Sequence, residues 1–323
     1  MICPSCSRNH KYRDGMTCAC GYHFVFNPKI DRLTDGKFQT VIKQASKNDT
    51  YFFTKNQLYT AFCRKSPKPV SVLVLIGIFI VSVFVVIIGL MIGSWEVTVG
   101  SVFVAVLFLG ALFGIPSSIK KFLSRDNFDT LLHRWMQVNE IPKLLVKPQL
   151  GAPPAQQWQE PDIFDYGVER ILVVEHDILV DLFVKNGFHA EQSCLIISAN
   201  GYPTYLAQRL PELVKKNKNI SIFLLHDFSP TGSTVVNKFL DSHKELFKNA
   251  RILDVGLFQE DVKKIKVFKR LMLEKEPKRV PVDAIPYAYL ALLFSGSISK
   301  GIPFSHLLLE WLEDDGDDGG SYG

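Results

Sequence analysis

An α/β fold built on a parallel sheet is predicted for the C-terminal half of this 323-residue chain, and two observations predict it. From Tyr166 onward, short apolar runs of strand length alternate with longer segments of helical period. There are four such runs with helices between them, an order that favours parallel strands joined by right-handed crossovers. The N-terminal half reads differently, as a cysteine cluster followed by two long uncharged stretches.

The first strand is RILVVE (Arg170 to Glu175), followed by the helix HDILVDLFVKNG, which closes at Gly187. CLIISANG (Cys194 to Gly201) is the second strand and PTYLAQRLPELVKKN the helix after it. ISIFLLHD is the third strand, GSTVVNKFLDSHKELF its helix, and RILDVG the fourth strand. AIPYAYLALLFSGSIS (Ala284 to Ser299) is apolar but short for a membrane span, and reads as a core helix.

Ligands of open α/β sheets bind just beyond the carboxyl ends of the strands. Here those ends are Glu175, the Ser198-Ala199-Asn200-Gly201 loop and Asp227. Two carboxylates at adjacent strand ends form an oxygen site suited to magnesium, which takes one or two protein carboxylates and fills its remaining positions with water and phosphate. Asp177 is placed to cap the first helix, while His176, His189 and His226 read as local structural residues.

The segments VVEHD, ISANGYPTYLAQRL, HDFSPTG and LDVGLFQEDV fall in one order between about Val168 and Lys266. In that order and spacing they resemble the Toprim domain shared by the topoisomerase VI A chain with the related meiotic double-strand-break proteins. The resemblance implies a Toprim-like Rossmannoid sheet and Mg²⁺-assisted chemistry on the DNA backbone. It makes Glu175 a general acid or base, and Glu175 with Asp227 the catalytic pair and magnesium ligands.

Ser229 stands where the family carries a second aspartate. A serine there keeps an N-cap for a helix opening at Pro230, and the N–H groups of Thr231, Gly232 and Ser233 would attract a phosphate. Asn200, Gly201, Ser229, Thr231, Gly232 and Ser233 are therefore the expected phosphate or substrate contacts. The topoisomerase relatives cut with a tyrosine from a preceding winged-helix domain, and here an apolar stretch and a proline-rich linker take that place. Water is then the expected nucleophile. Two functions stay open: a metal-dependent nuclease or phosphotransferase, and a non-catalytic module that binds nucleic acid, nucleotide or protein partners.

Residues 1–28 carry four of the six cysteines, as CPSC (Cys3, Cys6) and CACG (Cys18, Cys20). Two chelating pairs of this kind fold into knuckles whose thiolates meet around structural zinc, and Gly21 suits the tight second turn. His10 and His23 read as spectators. Residues 29–69 follow as a strand, a helix from about Thr34 to Ser46 and a further helix after Thr54.

Val70–Gly93 and Val97–Ile115 contain no charged residue and, as helices, would span roughly 36 and 28 Å. They predict a two-helix transmembrane hairpin over 70–115. Arg64, Lys65 and Lys68 before it and Lys120, Lys121 and Arg125 after it, with no cation between, predict both chain ends on the cytoplasmic side of the inner membrane. The lipid bilayer is then a partner.

Residues 116–165 read as a helix and a proline-rich extended connector, 166–309 as the α/β domain, and 310–323 as a solvated acidic tail. The net charge of +5 and the basic stretch Glu260 to Arg279 suit nucleic acid or anionic lipid headgroups, which charge alone does not separate, and a solvated basic face is the default reading of the stretch.

Overall fold

The computed structural model describes residues 1–65, 123–151, 168–215, 219–229, 231–258, 279–302 and 307. The chain forms two compact units, one of 1–64 with 140–323 and one of 65–139. In the second unit the described helix is α3 (Arg125–Met136), numbered in chain order. Ser124 caps it through a bond from Asn127 N, and Phe128, Leu131, Leu132 and Trp135 form its buried face.

The first unit is organised by a four-stranded parallel sheet. In chain order, β1 is Phe53–Thr54, β2 Leu144–Leu145, β3 Arg170–Val174, β4 Cys194–Ser198, β5 Ser221–Leu225 and β6 Arg251–Asp254. The order in the main sheet is β4-β3-β5-β6, all parallel. The α/β class and parallel sheet expected from the alternating runs are present.

Strand periodicity divides the core into two layers. Leu172, Val174, Ile196, Phe223 and Leu225 share one layer with α4 (Asp177–Lys185), the short α5 (Phe188–Glu191) and α8 (Tyr287–Lys300). Ile171, Val173, Leu195, Ile197, Ile222 and Leu224 share the other with α6 (Thr204–Lys215) and α7 (Gly232–Ser242). Each of these side chains, fully buried, contributes about 1.5–3 kcal/mol. The apolar stretch near Ala284 is the core helix α8, with Leu290, Leu293 and Phe294 buried.

The N-terminal segments pack into the same unit. Helix α1 (Asp35–Ala45) is capped by Thr34, and α2 is Lys55–Lys65. Phe53 and Leu144 are partners in the short parallel ladder of β1 and β2. Phe52 and Asn186 exchange two hydrogen bonds, of 2.8 and 2.9 Å. Asn56 Nδ2 donates to Asp283 Oδ1 and Gln57 Nε2 to the Ile285 carbonyl, each at 2.8 Å.

Residues 144–150, read in the sequence as part of a free connector, are docked. Gln149 N donates to the fully buried Asp181 at 2.7 Å, and Leu150 N to the Tyr202 hydroxyl.

The expected two-pass placement in the inner membrane, with the bilayer as partner, is corrected here. Among the described residues no helix is long and apolar enough to cross a membrane. A span needs about 20 apolar residues, whereas α8, the apolar core helix, has 14. The two runs that carried the expectation, 70–93 and 97–115, lie outside the described residues, as do the basic stretch from 260 to 278 and the acidic tail.

Candidate metal centre

Glu175 and Asp227 follow the ends of β3 and β5, adjacent central strands whose connections leave in opposite directions across the sheet. That is the switch point at which open α/β sheets form a crevice. The ladder continues one residue past the strands, since Glu175 N donates to Leu225 O at 2.9 Å. Asp227 N then donates to Glu175 Oε2 at 2.8 Å, which locks the two residues side by side. Both are buried, at 5% and 1% exposure.

Asp227 is the most heavily bonded side chain of the cluster. Its Oδ1 accepts from Val282 N at 2.9 Å, and its Oδ2 from Arg279 Nη2 at 2.9 Å and Nε at 3.2 Å. Burial alone would raise its pKa. Bonds from His176, Val282 N and Arg279 outweigh burial and hold the carboxyl below its usual range.

His176 joins the pair, with Nε2 3.3 Å from Glu175 Oε1 and 3.2 Å from Asp227 Oδ2. Asp227 is the largest influence on the imidazole and raises its pKa against partial burial. Arg279 Nη2 lies 2.6 Å from the same Nε2, and a guanidinium can only donate. The carboxylates favour a proton on that nitrogen and Arg279 opposes it, with the carboxylates the stronger influence.

The turn after β5 differs from its sequence reading. Helix α7 begins at Gly232 with Thr231 as its cap residue, so Ser229 does not cap it. Ser229 Oγ is instead buried with no hydrogen-bond partner among the described residues. Gly232 packs closely against the cluster. A Cβ there would lie 2.4 Å from the Asp227 carbonyl and 3.0 Å from both Glu175 Oε2 and Ser229 Oγ. Gly232→Ala is expected to cost about 1–3 kcal/mol through overpacking. Thermal unfolding checks this, with local displacement of Asp227 visible in a crystal structure of the variant.

Thr231 and Ser233 flank Gly232 at the first turn of α7, exposed and half-buried respectively. Asn200 and Gly201 lie on the loop after β4, where Gly201 has φ +79° and Ser198 Oγ accepts from Asn200 N and Tyr202 N. Asn200 Nδ2 donates to Asp177 Oδ1 at 3.3 Å. Asp177 is the first residue of α4, and His176 occupies the cap position without a side-chain cap bond, which corrects the capping role expected of Asp177.

Behind the pair, His226 is buried. Its Nδ1 donates to the Asp227 carbonyl at 2.8 Å, and its Nε2 lies 3.2 Å from Asp254 Oδ1.

His176 and Arg279 are the site residues that sequence reading missed. Arg279 arrives on a strap, Arg279–Ile285, that pairs with Phe228 through Val280 and supplies Val282 N to Asp227. The next residue, Asp283, is buried. Burial, reinforced by nearby Asp227, pushes its pKa up against bonds from Thr54 and Asn56.

A carboxyl whose folded pKa is raised stabilises the fold most below its unfolded value, and that contribution is lost as pH rises through the folded value. An amide at the same position carries no charge at any pH. The melting temperature of Asp283→Asn relative to the parent is therefore expected to rise between pH 4 and 7.5, checked by calorimetry across that range.

The second cluster is Cys3, Cys6, Cys18 and Cys20, whose Sγ atoms all lie within 4.8 Å of one another. Cys3 and Cys20 sulfurs are 3.6 Å apart and those of Cys6 and Cys18 3.7 Å. Sulfurs at about 2.3 Å around a tetrahedral zinc are about 3.8 Å apart, so the four thiols fit that ion. Gly21 (φ +88°) closes the second knuckle, its N–H donating to the Cys18 carbonyl. His10 is taken by the Gly15 carbonyl and His23 by Thr17, as spectators would be.

No curated protein and no solved structure matches the chain. Residues 170–291, from β3 into α8, match the family model for the TOP6A/Spo11 (topoisomerase 6) Toprim domain, and it is this domain that the sheet carrying Glu175 and Asp227 resembles.

Proposed function

We propose that this protein acts on the phosphodiester backbone of DNA through a divalent metal ion held by Glu175 and Asp227. It carries a zinc ribbon of Cys3, Cys6, Cys18 and Cys20 as a structural element. The observation that carries the reading is the buried carboxylate pair at the switch point of a Toprim-type sheet. Two buried carboxylates side by side are costly unless a cation neutralises them, and the fit to magnesium lies in that oxygen-donor set.

Magnesium at this position supplies Lewis-acid polarisation of a phosphoryl oxygen and charge for the developing transition state. The chain's own residues do the rest. Asp227 N–H orients Glu175 through Oε2, leaving Oε1 as the oxygen on the His176 side, placed to hold metal or to exchange a proton with water. Asp227 is fixed by Val282 N. Thr231, Gly232 and Ser233 lead a helix end that favours the phosphate. Asn200 and Gly201 form the neighbouring rim, and water is the nucleophile.

A second reading is favoured by Ser229 and by Arg279: one carboxylate is missing from the family pattern and another is neutralised from within. On this reading the domain binds nucleic acid, nucleotide or a protein partner without cutting.

The test uses the full chain with supercoiled and single-stranded DNA in Mg²⁺ or Mn²⁺. Cleavage abolished by EDTA and reduced about 10²–10⁴-fold in Glu175→Gln is the expected result. Cleavage untouched by that substitution would sink the enzyme reading, and metal-dependent DNA binding without cleavage would establish the second. Zinc content by mass spectrometry is expected at one ion per chain, and to fall in Cys18→Ser.

A further inference from the structure

The missing carboxylate at Ser229 raises the question of what completes the metal shell. His176 Nε2 reaches both carboxylates. Its distances of 3.3 and 3.2 Å to Glu175 Oε1 and Asp227 Oδ2 match the roughly 3 Å between neighbouring donors around an octahedral ion with bonds of about 2.1 Å. One ligand atom from each of the three residues lies within 4.8 Å of the others.

Arg279 adds an independent observation. It is half exposed, donates to Asp227 Oδ2 and lies 2.6 Å from His176 Nε2, and so places its positive charge against two of the three donors. Arg279 supplies positive charge at Asp227 Oδ2, the same oxygen that faces His176 Nε2. Its long exposed side chain can swing away, whereas the carboxylates are fixed by the sheet.

We propose that Glu175, Asp227 and His176 form a two-oxygen, one-nitrogen site for a first-row transition-metal ion, with His176 in place of the absent second aspartate and Arg279 as the internal cation that the metal displaces. Imidazole is a better donor to such ions than to magnesium, which prefers oxygen throughout. The site therefore selects its metal by His176, and Arg279 sets how much of that affinity is realised. This inference rests on the metal-site reading of the preceding subsection.

The probe is Mn²⁺ added to the zinc-loaded full chain. Pulsed electron paramagnetic resonance is expected to show modulation from a directly bonded nitrogen, and His176→Gln to remove it while Mn²⁺ still binds at least tenfold more weakly. Arg279→Gln is expected to tighten Mn²⁺ binding at least fivefold. Bound Mn²⁺ with no nitrogen coupling, or with the same coupling in His176→Gln, overturns the ligand assignment. Unchanged or weaker affinity in Arg279→Gln overturns the displacement. Glu175→Gln separates the two levels: if it leaves Mn²⁺ binding intact, the metal-site reading itself fails, and if it weakens binding while no nitrogen coupling is seen, only the role of His176 fails.

Discussion

Asp227→Ala is expected to abolish metal-dependent cleavage and to lower stability by about 3 kcal/mol. That is the low end of the cost of breaking a buried ion pair, because Arg279 is itself half exposed and part of its charge is already met by solvent. The substitution strips four contacts at once: Val282 N, both bonds from Arg279, and His176. Val282 N–H is buried and would lose its acceptor, so the strap as well as the site should loosen. Hydrogen exchange at Val282, calorimetry and the DNA assay read the three consequences separately. A variant that keeps full stability and protected Val282 would show that the strap is held by apolar packing alone.

Asp35→Ala is expected to cost about 4 kcal/mol and to release zinc. This fully buried carboxylate, on the first turn of α1, accepts from Tyr22 Oη at 2.8 Å and from Val25 N and Phe26 N at 2.9 Å each. Those three donors follow the second knuckle directly, and the substitution removes the acceptor they share, at about 1–3 kcal/mol for each bond. The Phe26–Phe38 edge contact, with ring centroids 5.2 Å apart, would remain to hold the segment after the knuckle against α1. Zinc transfer to a chromogenic chelator should be faster in the variant, and Asp35→Asn, which keeps one acceptor oxygen, should fall between.

Much of this centre is visible in the sequence because its parts are local. Glu175 and Asp227 end apolar runs, and period-two burial with parallel order brings such ends together without further information. The four cysteines declare themselves by spacing. His176 escaped because it lies on the strand-to-helix connection, where neither the strand nor the helix period fixes the direction of a side chain.

Arg279 escaped for another reason. It closes a run of lysines and arginines, so nothing local distinguishes it, and its partners lie far away in sequence at Asp227 and His176. Ser229 was legible as a polar turn residue, but its role depended on whether the helix began at Pro230 or at Gly232. Boundaries of that kind shift by one or two residues with tertiary packing. The pairing of Asn56 and Gln57 with Asp283 and Ile285 joins residues more than 200 positions apart, beyond the reach of any pattern argument.

That last pairing bears on how the domain can be handled. The chain leaves the first unit after Arg64 and rejoins it at Glu140, while the strap holding Asp227 leans at its far end on α2. A fragment beginning near Tyr166 would strip the cover from Asp283 and leave the Ile285 carbonyl without its donor, so the Toprim-type sheet is not a portable piece of sequence. Any shortened form has to keep α2 and the strap together, joined through the Gln57 bond to the Ile285 carbonyl.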